Sequence, residues 1–147
     1  MRLNRLVEGY YMVVEERNRS MKEEQMIDVE YIKQYCLSKY KGYEDHPFGE
    51  IPICYKLNGK IFAQLYPYLE NYKITLKCEP LMGDFYRQMY PKVVERGYHC
   101  PPVQQPHWNT VDLNKIPKDI LFQMIDEAYE RVLTTFPKKV QIELLKG

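Results

Sequence analysis

At 147 residues, 45% hydrophobic and 28% charged, the chain is long enough for one buried core and far from the composition of a disordered segment. A net charge of +1 argues against a strong polyanion binder, because such affinity comes from neutralising phosphates; a modest binder needs its charge segregated onto one face. No apolar run approaches the ~20 residues that a membrane-spanning helix needs.

The first 25 residues read as an N-terminal extension, with residues 26–147 forming a single domain. The extension carries an apolar, tyrosine-bearing patch, Tyr10-Tyr11-Met12-Val13-Val14, and then a charged run from Glu15 to Glu24. The basic start, Met1 to Arg5, has no apolar stretch of the secretory kind after it. Cys36, Cys54, Cys78 and Cys100 are widely spaced, with no C-x-x-C pair, so the expectation is reduced thiols and a cytoplasmic protein. Tyrosine is the compositional outlier at 14 residues. Its apolar body and polar tip suit the margin of a sheet, and a base-stacking surface is the sharper alternative.

Val29, Ile32, Cys36 and Tyr40 recur at helical spacing and predict a helix over 29–40, with Asp28 as N-cap and Gly42 closing it. Ile53, Tyr55 and Leu57 then alternate with Cys54 and Lys56. Asn58-Gly59 is the strongest short hairpin signal, which makes Lys60 to Tyr66 the partner strand. A third strand over 72–78 puts Tyr72, Ile74, Leu76 and Cys78 on one face and Lys73, Thr75 and Lys77 on a wet one. Pro80 opens a helix whose apolar stripe is Met82, Phe85, Tyr86 and Met89, and Pro91 stops it. Strands are expected over 94–100 and 107–113, separated by a proline-rich loop. The final helix, between Pro117 and Pro137, has a broad apolar face from Ile120 to Phe136. The whole predicts an α+β fold: a two-layer α-β3-α-β2-α domain, its sheet antiparallel and its helices on one face.

Little of this chemistry suggests catalysis. Ser20 and Ser38 lie in no nucleophile elbow, and no glycine-rich phosphate loop is present. His99, Cys100 and His107 match no familiar zinc spacing and read as strand residues, so no metal, cofactor or catalytic residue is predicted. The pairs Glu44-Asp45 and Asp126-Glu127 read as solvated charge. What remains is a basic strand surface, Lys56, Lys60, Lys73 and Lys77, joined by His107, Trp108 and Asn109. Lysines so placed can hold a phosphate backbone and Trp108 can stack on a base. Their ordinary roles are edge protection and core-edge packing.

These residues carry a resemblance. Pro47-Phe48-Gly49, Lys56, Asn58-Gly59-Lys60-Ile61-Phe62-Ala63, Ile74-Thr75-Leu76-Lys77-Cys78, Gly97-Tyr98-His99 and His107-Trp108-Asn109-Thr110-Val111 stand in an order that resembles the MmcQ/YjbR family, as does Ala128-Tyr129 in the last helix. The resemblance covers about residues 26–137. It implies the same two-layer fold and a DNA-binding role through a double wing of strands. The fold is also similar to secretion chaperones, which bind proteins. The family often carries a basic residue before His-Trp-Asn, whereas Pro102 to Pro106 is uncharged here. Three readings follow: a non-enzymatic DNA-binding domain, a protein-interaction or chaperone-like adaptor that pairs with itself, and a small-molecule site around His99, His107 and Trp108.

Overall fold

The computed structural model describes residues 27–146, and the proposed extension at 1–25 lies outside them. Helix α1 (Val29–Leu37) leads into strands β1 (Tyr43–Asp45), β2 (Ile53–Leu57), β3 (Lys60–Tyr68) and β4 (Asn71–Lys77). Helix α2 (Pro80–Met89), strand β5 (Val94–Arg96), a 3-10 turn (Gln105–His107) and strand β6 (Trp108–Asp112) follow, and helices α3 (Lys118–Thr134) and α4 (Lys138–Leu145) close the order. The six strands form one antiparallel sheet in the order β1-β2-β3-β4-β6-β5.

Local chemistry accounts for most boundaries. The Asp28 carboxylate accepts from the Glu30 amide at 3.0 Å and starts α1. Glu79 does the same for α2, accepting from the Leu81 and Met82 amides at 3.1 and 3.0 Å, with Pro80 in the first turn. Asn58 and Gly59 take positive φ values of 47° and 86°, which a two-residue hairpin turn requires.

Four expectations need correction. Helix α1 stops at Leu37 instead of running to residue 40, and the left-handed position after it falls on Lys41 (φ 60°), not Gly42. Strand β5 ends at Arg96, and His99 lies in a turn and His107 in the 3-10 turn, so neither is a strand residue. Strand β1 was not expected, because Tyr43-Glu44-Asp45 has no apolar alternation. Helix α4 follows Pro137, a residue that ends one helix and opens the next.

The core lies between the sheet and α3. Leu121, Met124, Ile125, Ala128, Tyr129 and Val132 of α3 are buried against Tyr55, Leu57, Leu65, Ile74, Leu76 and Val111. Truncating a core leucine such as Leu121 to alanine costs roughly 2–5 kcal/mol. The flanking helices are fastened to α3 by the two carboxylates read as solvated. Asp126 accepts from the Tyr35 hydroxyl of α1 at 2.6 Å and from Lys39. Glu127 accepts from the Tyr86 hydroxyl of α2 at 2.9 Å. Consecutive residues of a helix point ~100° apart, so neighbours in sequence serve opposite flanks.

No described helix covers the other face of the sheet, but that face is not simply wet. Cys54 and Thr75 there have no exposed surface, and Thr110 and Asp112 have 8%. Thr75 and Thr110 satisfy each other through a hydroxyl hydrogen bond of 2.9 Å. Ile51, Pro52 and His99, from two loops, border a depression over Gln64 and Tyr66 of β3.

Candidate anion-binding site

The four predicted lysines do not form one surface. Lys56 is neutralised by Asp45 of the adjacent strand at 2.6 Å, and that contact holds the Asp45 carboxyl below its ordinary range. Lys73 stands on the Tyr68 ring, 3.8 Å from its centroid, in register with Asp112. Lys60 is on the helix side. The pairings Tyr55–Ala63 and Lys56–Ile61 leave Phe62 without a residue opposite it, a bulge that reverses the side-chain alternation of β3. Lys60 therefore reaches Thr135 Oγ1 at 3.0 Å and lies over the Phe136 ring.

Lys77 ends β4 with its ammonium 4.9 Å from the centroid of Trp108, its register partner on β6. Burial pushes its pKa down, and the like charges of Arg131 and then Lys60 add to the effect. Lys77 thus meets Trp108 at one corner of the molecule, and Lys60, on the helix side, is near enough for its charge to act on Lys77. Arg131 of α3 joins them, and sequence reasoning missed it. Its signal was its position: Met124, Ala128 and Arg131 recur at i, i+4 and i+7, so an arginine occupies the apolar stripe. Its Nε is buried and has no hydrogen-bond partner.

Asn109 and His107 play other parts. The Asn109 side chain, fully buried, donates to the Gly83 carbonyl at 3.1 Å and accepts from Arg87, so it braces β6 against α2 and is not a surface contact. The His107 carbonyl accepts from the Cys78 amide at 2.8 Å and extends the β4–β6 ladder. Cys100 is half-buried with its thiol pKa raised by burial, the opposite of an activated nucleophile. Among the described residues no group of three His, Cys, Asp or Glu side chains could hold a metal ion.

Beside the cationic corner, a cleft of about 330 Å³ opens between α2, α3 and the end of β4. Leu76, Met82, Tyr86 and Met124 give it apolar walls, and Lys77 and Arg131 lie along it.

A one-sided antiparallel sheet, a helical layer and a cationic corner define a two-layer α+β domain. The YjbR family model matches residues 37–131, and the chain belongs to that family. The fold is similar to the crystal structure of Deinococcus radiodurans protein DR2400, a DUF419 domain. That similarity has 25% identity, a TM-score of 0.73, and coverage of 82% of this chain and 89% of that one. A protein from Pseudomonas syringae shares the fold at 21% identity and a TM-score of 0.57, over 71% of this chain and 98% of that one. No curated protein matches the sequence. No described helix is long and apolar enough to cross a membrane.

Proposed function

We propose that the protein is a non-enzymatic, cytoplasmic nucleic-acid-binding domain that takes phosphates weakly at the corner formed by Lys60, Lys77 and Arg131. The observation that carries this reading is a gathering of unpaired cations: Lys77 and Arg131 line one cleft, and the charges of Arg131 and Lys60 both act on Lys77. Lys33, Lys39, Lys56 and Arg87 each have a carboxylate in ion-pair range, whereas among the described residues Lys60, Lys77 and Arg131 have none. Unneutralised cations in mutual repulsion attract a polyanion, and Trp108 beneath Lys77 offers a stacking platform. Arginine recognises phosphate as a planar fork and lysine as a point charge, so the corner combines both modes. A fluorescence-anisotropy titration of labelled duplex DNA tests it. Micromolar or weaker binding that falls steeply with salt is expected; no binding at low salt overturns it.

A second reading, self-association or protein binding, is favoured by α2. Leu81, Phe85 and Met89 are 81, 50 and 55% exposed and form a stripe on that helix, where apolar surface invites a partner. Light scattering over a concentration range separates the readings, since a strict monomer counts against the homodimer.

A further inference from the structure

The cleft between α2 and α3 shares Lys77 and Arg131 with the corner but adds an apolar enclosed volume that phosphate binding does not use. Its volume of about 330 Å³ lies within the range of small-ligand sites, which are mostly apolar with a few convergent polar groups. Leu76, Met82 and Met124 supply the apolar part. Of the carboxylates along it, Glu79 is occupied in capping α2 and Glu127 in holding the Tyr86 hydroxyl. Arg131 lines the cleft as well and, among the described residues, has no carboxylate in ion-pair range.

We infer that the cleft is a binding site for a small amphipathic carboxylate. Its apolar body lies among Leu76, Met82 and Met124, and its carboxylate accepts from the two terminal nitrogens of Arg131 in the paired geometry that guanidinium favours. Lys77 adds a second positive charge along the cleft. A monoanion suits the cleft better than a doubly charged phosphoryl group, because Glu79, Glu127 and Glu130 also line it and repel added negative charge. The inference does not depend on nucleic-acid binding, since its test contains no nucleic acid.

The test titrates the full chain with octanoate and, separately, with octanol, following methionine methyl and arginine Nε–H resonances by NMR. Saturable octanoate binding that shifts Met82, Met124 and the Arg131 Nε–H is expected, with octanol about tenfold weaker, as loss of a charge-assisted hydrogen bond implies. Arg131→Gln weakens octanoate about tenfold and leaves octanol unchanged. Met82→Trp, at a partly exposed position on the cleft wall, blocks both ligands and guards against a folding defect in the arginine variant. Equal affinity for octanoate and octanol, no saturable octanoate binding, or octanoate affinity unchanged in a folded Arg131→Gln protein overturns the inference.

Discussion

Asn109 shows how one side chain can be misplaced by its company. In sequence it follows His107 and Trp108 and resembles part of a contact segment, but strand alternation sends it to the opposite face from Trp108, where it meets Gly83 and Arg87. Replacing it with alanine leaves the Gly83 carbonyl and the Arg87 guanidinium short of a partner. Asn109→Ala is expected to lose about 2 kcal/mol in urea unfolding without a change in m-value. It should leave DNA affinity as it is, where a contact residue would lower it. The cysteines give a second check at this scale. Burial raises Cys36 to about 12 and Cys78 to about 11, and both are buried, whereas Cys100 is half-exposed. Iodoacetamide labelling followed by mass spectrometry should therefore modify Cys100 before Cys36 and Cys78; the reverse order contradicts the burial described.

The elements were legible in proportion to how strongly a single period repeats. Helix α3 carries its apolar residues at helical spacing through four turns, and β4 alternates without a break, so both were readable from residues 117–137 and 72–78. Strand β1 has three polar or amphipathic residues and exists only because β2 offers an edge; no local pattern encodes it. The bulge at Phe62 was equally hidden. Lys56 and Lys60 flank the Asn58-Gly59 turn and read as one cluster, but the register of β3 against β2 puts them on opposite faces. Such a slip is a tertiary fact, set by which residues pair.

Helix α2 offers a test in which two effects oppose each other. Gly83 sits mid-helix, where alanine ordinarily adds about 1 kcal/mol of stability. A Cβ at that position would stand 2.6 Å from Cys78 Sγ, closer than any packed contact allows. Overpacking of that kind costs roughly 1–3 kcal/mol, so Gly83→Ala is expected to destabilise. Adding Cys78→Ala should recover most of the loss in a double-mutant cycle, and a stabilised single variant contradicts the close approach. The hydroxyls that tie α1 and α2 to α3 set an alkaline limit. Burial raises Tyr35 and Tyr86 from an ordinary 10.0 to about 12, with the hydrogen bonds to Asp126 and Glu127 adding to it. A pKa raised on folding gives stability that is complete below the unfolded value and lost as pH rises through the folded one. Unfolding free energy should therefore fall between pH 10 and about 12, and fall less in Tyr35→Phe and Tyr86→Phe.

For the whole molecule, family membership and layer architecture were both within reach of the sequence, because hairpin, helix and His-Trp-Asn signals follow one another in a consistent order. The distribution of charge was not. Net charge is a sum, and nothing in it tells that Lys56 is cancelled by Asp45, that Lys73 rests on a tyrosine, or that an arginine from the last long helix completes the corner. Buried Cys54 and Thr75 also make the helix-free face a poorer binding surface than strand alternation suggests. The proposed phosphate site accordingly lies at the end of β4, where sheet and helix layers meet, and not on that face.

The most direct test is the salt dependence of duplex-DNA affinity in single charge-neutralised variants. Each phosphate contact contributes about 0.9 to the slope of log affinity against log salt, so Lys60→Gln, Lys77→Gln and Arg131→Gln should each flatten it by roughly that amount. Lys56→Gln, whose charge is neutralised by Asp45, and Lys73→Gln, which lies in register with Asp112 away from the corner, should leave it unchanged. Slopes that respond to Lys56 and Lys73 instead, or to none of the five, contradict the assignment of the corner as the phosphate site.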